Sequence, residues 1–263
     1  MLKFCSIYSG SSGNCLFVDS HHTKILIDAG VSCKKICEGL DQIGESINDI
    51  DAILVTHEHS DHVQGLGTVS QKFDIPVYAN TETWNAMEKQ RSKVNPKNIY
   101  TFENDSDFKL NDLTIHPFST PHDAANPCGF NIHNGTKRLS VATDLGYIND
   151  ALISELFSSS FLFLEANYDT EILKVSKYPF ALKKRISGPY GHLSNVTAGK
   201  TIHNLLLKKD LNEVMLGHLS KENNFPELAY QTVVNELIEK NTDLNEIKLS
   251  VANRNSPSKV INI

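Results

Sequence analysis

The chain has 263 residues, 40% of them hydrophobic and 21% charged, with a net charge of −6; this is the balance of a soluble globular protein, long enough for one large α/β domain or two small ones. No run nears the ~18 consecutive apolar residues that a transmembrane helix needs, and the acidity weighs against broad electrostatic capture of nucleic acid, although divalent cations at a site would add charge that the count omits. Five cysteines, an odd number with no C-x-x-C pair, exclude a secreted disulfide framework; the cytoplasm is the expected compartment.

Residues 2–8 and 15–19 read as short strands rather than as the basic-then-apolar run of a signal peptide. Between them, Ser9-Gly10-Ser11-Ser12-Gly13-Asn14 is either a tight hairpin turn or a lip whose backbone N–H groups meet an anion. Lys24–Ile27 continues as a strand into Asp28-Ala29-Gly30, where Asp28 either caps the helix expected over Ser32 to Leu40 or steadies a neighbouring loop. Cys33 and Cys37 are four apart on that helix and read as small core residues.

The apolar run Ile53-Leu54-Val55 leads into His57, His59, Asp61 and His62. One loop rarely collects four ligand-type side chains in six residues without a cation to hold them. A strand-like turn sends positions i and i+2 to one side, so His57 and His59 can aim at one point and Asp61 and His62 at a second.

The pattern then predicts a helix over 63–72, a strand over 75–79 and a helix over 81–93 with Thr81 as its cap. Asp112–Phe118 alternates as a strand, ends at His122, and pairs with Pro127–Ile132. Leu139–Thr143 stops at Asp144, a position from which a carboxylate can bridge two cations. Phe161–Leu164 ends at Glu165, and His192-Leu193-Ser194-Asn195 precedes a helix over 196–207 with Asn195 as its cap. Glu213–Gly217 delivers His218-Leu219-Ser220, Pro226 opens a helix to about Lys240, and Ile247–Val251 closes the series. His21, His22, His116, His133 and His203 have surface or structural readings; Lys183, Lys184 and Arg185 are a solvated face or a phosphate contact.

His57-x-His59-x-Asp61-His62 after a hydrophobic strand resembles the signature of the metallo-β-lactamase fold superfamily. The resemblance implies an α/β fold, an αββα four-layer sandwich of two mixed β-sheets with helices on the outer faces, here as one domain over residues 1–263. It implies two divalent metal ions, Zn²⁺ or Mn²⁺, and no organic cofactor. His57, His59 and His122 would form one site and Asp61, His62 and His218 the other, with Asp144 between them; Asp28 would orient the histidine loop. A metal-bridging hydroxide would be the nucleophile, with Asp61 orienting it or taking its proton.

Two His-Leu-Ser segments 26 residues apart resemble the nuclease branches, in which a non-ligand histidine protonates the leaving oxygen. His192, oriented by Glu165, fits that role, and Ser11, Asn14, Ser194, Asn195, Ser220 and Asn223 are further candidates around ligands or substrate. Across the whole chain the motifs resemble the YycJ/WalJ family of metal-dependent exonucleases, which implies bacterial origin and 5′-to-3′ degradation of DNA ends. The 73 residues between Asp144 and His218 leave no room for the extra (β-CASP) domain of ribonuclease J-type enzymes. A small-molecule hydrolase acting on a thioester, lactone or cyclic phosphodiester, or a non-catalytic metal-bound module, are the alternatives.

Overall fold

Short apolar runs closed by polar turns build the first strands, β1 (Lys3–Tyr8), β2 (Cys15–Asp19) and β3 (Lys24–Ile27), which pair antiparallel in succession. β3 then runs parallel to β4 (Ala52–Leu54), β4 to β5 (Val77–Asn80) and β5 to β6 (Ile99–Phe102). Ile25-Leu26-Ile27 and Ala52-Ile53-Leu54 are buried along their whole length, as the unbroken apolar composition of parallel central strands requires. The computed structural model describes residues 2–207 and 210–263, and its strands fall into two sheets of seven.

The chain divides into two units: Met1–Ser119 with Ala124–Lys137 and Asn253–Ile263, and Thr120–Asp123 with Arg138–Ala252. In the first unit, α1 (Cys33–Gln42) is capped by Ser32, whose hydroxyl accepts the Lys35 N–H. Cys33 and Cys37 are half-buried and pack on the core that includes Ile36 and Leu40. The stretch expected as one helix over 63–72 forms two, α2 (Ser60–Val63) and α3 (Leu66–Phe73). The helix expected over 81–93 breaks at Met87 into α4 (Thr81–Ala86) and α5 (Glu88–Arg91). Its cap is Asn80 rather than Thr81: Asn80 Oδ1 accepts the Thr83 N–H at 2.9 Å. β7 (Phe108–Leu110), β8 (Leu113–Ser119) and β9 (Cys128–Asn134) pair antiparallel.

The second unit carries a parallel ladder of β10 (Lys137–Ala142), β11 (Phe161–Glu165), β12 (Glu213–Gly217) and β13 (Lys248–Val251). Its connections contain α6 (Asp150–Leu156), α7 (Thr170–Val175), α8 (Phe180–Ile186), α9 (Asn195–Leu206) and α10 (Pro226–Glu239). α9 is capped by Ser194, not Asn195, with the Thr197 N–H donating to Ser194 Oγ at 3.1 Å. The two-residue β14 (Ile261–Asn262) returns to the first unit and pairs with β1. Asp144, Glu165 and His218 all lie at the C-terminal ends of parallel strands, the edge where open α/β sheets hold their ligands.

Candidate active site

In the first unit, β4 runs out at Thr56-His57, and Asp28 fixes the loop beyond it. Asp28 stands at the end of β3 with φ 62°. Its Oδ1 accepts the Thr56 N–H at 2.9 Å, and its Oδ2 accepts the Thr56 hydroxyl at 2.9 Å and lies 2.7 Å from His62 Nδ1. A carboxylate at that distance selects the tautomer with the proton on Nδ1, which leaves the Nε2 lone pair for a ligand. The Thr56 hydroxyl has a single proton; given to Asp28, it frees the oxygen to accept from His57 Nδ1, 3.0 Å away. His57 is thereby also left with its lone pair on Nε2. The His57 ring centroid lies 4.7 Å from that of His59 and 4.2 Å from that of His62; His57 and His62 are buried, and His59 is half-buried.

The turn after β1 braces the same loop. Asn14 N–H donates to the Asp61 carbonyl at 2.8 Å, and Asn14 Nδ2 lies 3.1 Å from His62 Nε2. Gly30 N–H closes the set on the Asn14 carbonyl, and a Cβ at Gly30 would run into the carbonyl oxygen of Asp61. Ser11 sits exposed at the tip of this turn.

The second unit gathers the other candidates around Asp144. Its Oδ1 lies 3.3 Å from His218 Nε2, 3.6 Å from His122 Nε2 and 3.6 Å from His192 Nδ1. His122 Nδ1 donates to the Gly191 carbonyl at 2.9 Å, which turns Nε2 toward Asp144. Asp144 and His218 hold left-handed backbones, φ 59° and 52°; such conformations in non-glycine residues concentrate at functional sites. Donor atoms about 2.0–2.1 Å from a tetrahedral ion stand about 3.3 Å apart, so the His218 and Asp144 pair has the spacing of two ligands of one cation. The nitrogen and carboxylate donors therefore fit a divalent metal of the zinc or manganese type.

Glu165 is buried completely. Its Oε2 accepts the Leu145 and Leu193 N–H groups at 2.9 and 3.2 Å, and its Oε1 meets His192 Nδ1 at 2.7 Å. With both oxygens engaged by N–H donors, Glu165 suits the orientation of His192 better than the binding of a cation, although its oxygens lie close enough to Asp144, His192 and His218 to join them. His192 is half-buried, and its ring stacks 5.4 Å from that of His218.

The other candidates have scaffold positions. Asn195 and Asn224 exchange side-chain hydrogen bonds at 3.1 and 2.8 Å, and Asn224 Nδ2 also reaches the Ala166 carbonyl. Asn223 donates its N–H to Ser220 Oγ at 3.2 Å. Sequence reasoning overlooked Thr56, Asn167 and Asn224. Asn167 Nδ2 holds the His218 carbonyl at 2.8 Å, and its own carbonyl accepts the Ser220 N–H. For Asn167 and Asn224 the sequence signal is a run of asparagines beside strand ends, and Thr56 has none.

A histidine-rich loop after a parallel strand, with an aspartate and a histidine at further strand ends, defines a class. Residues 23–205 match the model of the beta-lactamase superfamily domain. The chain is 37% identical to the exodeoxyribonuclease YycJ of Bacillus anthracis, over 93% of this chain and 92% of that one. It is 39% identical to the exodeoxyribonuclease WalJ of Streptococcus pneumoniae D39, over 89% and 88%. The chain belongs to the beta-lactamase superfamily and, within it, to the family of these YycJ and WalJ proteins. Zn²⁺-bound PqqB from Methylobacterium extorquens shares the fold with a TM-score of 0.74 at 14% identity, covering 98% of this chain and all of that one. The metallo-β-lactamase fold protein YhfI from Bacillus subtilis does so at 0.69 and 15%, with the same coverage. The expected fold class, two mixed sheets with helices in the metallo-β-lactamase manner, is met.

Proposed function

We propose that the chain is a metal-dependent phosphodiesterase, a DNA exonuclease working from the 5′ end. His57, His59 and His122 would hold one divalent cation and Asp61, His62 and His218 a second, with Asp144 shared. When bound, the two cations supply charge stabilisation for the phosphate and lower the pKa of the attacking water. The remaining work belongs to the chain. In its imidazolium form His192 carries a hydrogen on each nitrogen: the one on Nδ1 is held by the Glu165 carboxylate, which fixes the ring, and the one on Nε2 goes to the departing sugar oxygen, leaving a neutral imidazole. Asp61 orients the attacking water. A sugar alkoxide leaves poorly, so such an acid contributes about 10²–10⁴-fold.

The observation that carries this reading is the His192–Glu165 dyad beside Asp144, in a chain 37–39% identical to proteins named exodeoxyribonucleases. A small-molecule hydrolase is the second reading, favoured by the net charge of −6. End-labelled single- and double-stranded DNA incubated with the Mn²⁺- or Zn²⁺-loaded protein separates them: release of mononucleotides from the 5′ end is expected. Inertness toward both DNAs, with turnover of a thioester or cyclic phosphodiester, overturns the nuclease reading. His192→Ala should slow DNA hydrolysis by about 10²–10⁴-fold yet spare a thymidine p-nitrophenyl phosphate, whose leaving group needs no proton. Equal losses on both substrates would remove the acid role.

A further inference from the structure

Between β11 and α9 the second unit folds α7 and α8 around Tyr168, Leu173 and Ile186, with Tyr178 and Leu182 packed against them. Beside this cluster lies a cavity of about 670 Å³, walled by Tyr168, Leu173, Tyr178 and Phe180, within the size range of pockets for small organic groups. Phe180, at the first turn of α8, leaves 81% of its surface in water, and Val175 leaves 83%. Large apolar groups exposed beside a cavity mark a surface that something else covers.

The charge of the segment says what kind of partner. Lys174, Lys183 and Lys184 line the cavity as well. From Ile172 to Ser187 the sequence holds five cations, Lys174, Lys177, Lys183, Lys184 and Arg185, and no carboxylate, in a chain whose net charge is −6. Lys174 pairs with Glu171 at 2.6 Å, and Arg185 grips Asp123 through two hydrogen bonds of 2.5 and 3.0 Å. That grip ties α8 to the residue after His122. The far end of α8 leads directly to the dyad: the Ile186 carbonyl accepts the His192 N–H at 2.8 Å, and a Cβ at Gly191 would collide with that same carbonyl. On the other wall, the Tyr168 carbonyl accepts the Asn195 N–H at 3.0 Å. The cavity and the segment bearing His192 are one hydrogen-bonded piece.

We propose that this cavity seats an unstacked nucleotide of single-stranded DNA, its base against Tyr178 and Phe180 and the neighbouring phosphates on Lys183 and Lys184. The assignment rests on the nuclease reading. Aromatic faces beside cations hold single strands without reading their sequence, because every base offers a π-face and every linkage a charge. A duplex end exposes only the outer face of a paired terminal step, and neither of its bases can enter a cavity singly until the end frays, so the cavity selects frayed or single-stranded ends and holds them on the piece of chain that leads to His192.

The test measures binding by the metal-loaded full chain, using hydrolysis-resistant phosphorothioate strands and fluorescence anisotropy. The probes are a labelled dT12, an abasic strand of the same length and a blunt duplex. The wild type should bind dT12 about tenfold more tightly than the abasic strand, and more tightly than the duplex. Phe180→Ala should erase the preference for bases, and Tyr178→Ala should reduce it. Lys183→Ala with Lys184→Ala should weaken dT12 and the abasic strand alike and flatten the salt dependence by about one to two released counterions. The proposal is overturned by equal binding of dT12 and abasic strand, by duplex binding as tight as single-strand binding, or by a Phe180→Ala protein of unchanged melting behaviour that keeps its preference. DNA hydrolysis by the wild type alongside any of these results removes the cavity and leaves the nuclease reading standing. Neither binding nor hydrolysis of any DNA removes both.

Discussion

Asp28 satisfies three partners at once, the Thr56 N–H, the Thr56 hydroxyl and His62 Nδ1, all buried. Asp28→Asn is the informative change, because asparagine tolerates the left-handed backbone at φ 62°. Its amide oxygen can still accept the Thr56 N–H, but an NH₂ then faces Thr56 Oγ and His62 Nδ1. His62 must switch tautomer to accept that hydrogen, which places its proton on Nε2 and removes the lone pair there. Metal affinity, measured by competition with a chelating dye, should fall roughly 10- to 100-fold while the far-UV spectrum holds. Undiminished metal affinity would contradict the orienting role. At this scale His57, His59, Asp61 and His62 are legible because they crowd into six residues. Thr56, Asn167 and Asn224 are not, since a hydroxyl or amide in a loop gains its function from the distant groups it binds, and nothing in its neighbours encodes that.

The elements that carry the site end where one backbone meets another. The end of β3, the turn after β1 and the loop after β4 meet at Gly30, whose N–H binds the Asn14 carbonyl while the Asp61 carbonyl fills the space a side chain would need. Gly30→Ala must push Asp61 and Asn14 away together. We expect a loss on the order of 3 kcal/mol or more in urea unfolding, accompanied by loss of metal binding; a cost below about 1 kcal/mol would mean that the loop gives way freely. The cap of α9 is milder: Ser194→Ala removes one N-terminal partner and should cost about 1 kcal/mol. Strands such as β3, β11 and β12 are readable from sequence because an unbroken apolar run followed by a polar residue has few other meanings. α6, α7 and α8, six or seven residues each, are too short to show helical periodicity. β14 has only two residues. The break at Met87 carries neither glycine nor proline to announce it.

At the scale of the whole molecule, the cysteines give a property that no single site shows. Burial pushes the Cys5 thiol up to about 12, against a smaller opposing effect of its hydrogen bond to Ser258. Burial also raises the Cys15 and Cys128 thiols, with the Asp28 carboxylate adding to both. These thiols stay protonated in the folded chain at a pH where they ionise in the unfolded one. A group whose folded pKa is raised keeps its full contribution below the unfolded value, about 8.5, and loses it as pH rises toward the folded value. Each such thiol should therefore cost about 1.4 kcal/mol of stability per pH unit above ~9, so the three together impose a steep alkaline decline of roughly 4 kcal/mol per unit. Urea unfolding in reductant at pH 8, 9 and 10 measures this directly. Cys15→Ala with Cys128→Ala should lower stability at pH 8, through the cavities left behind, yet reduce the slope between pH 9 and 10 by about two thirds. A slope unchanged in the double variant would assign the alkaline loss to other groups, of which the buried Tyr168 phenol, raised first by burial and then by Glu165, is the next to examine.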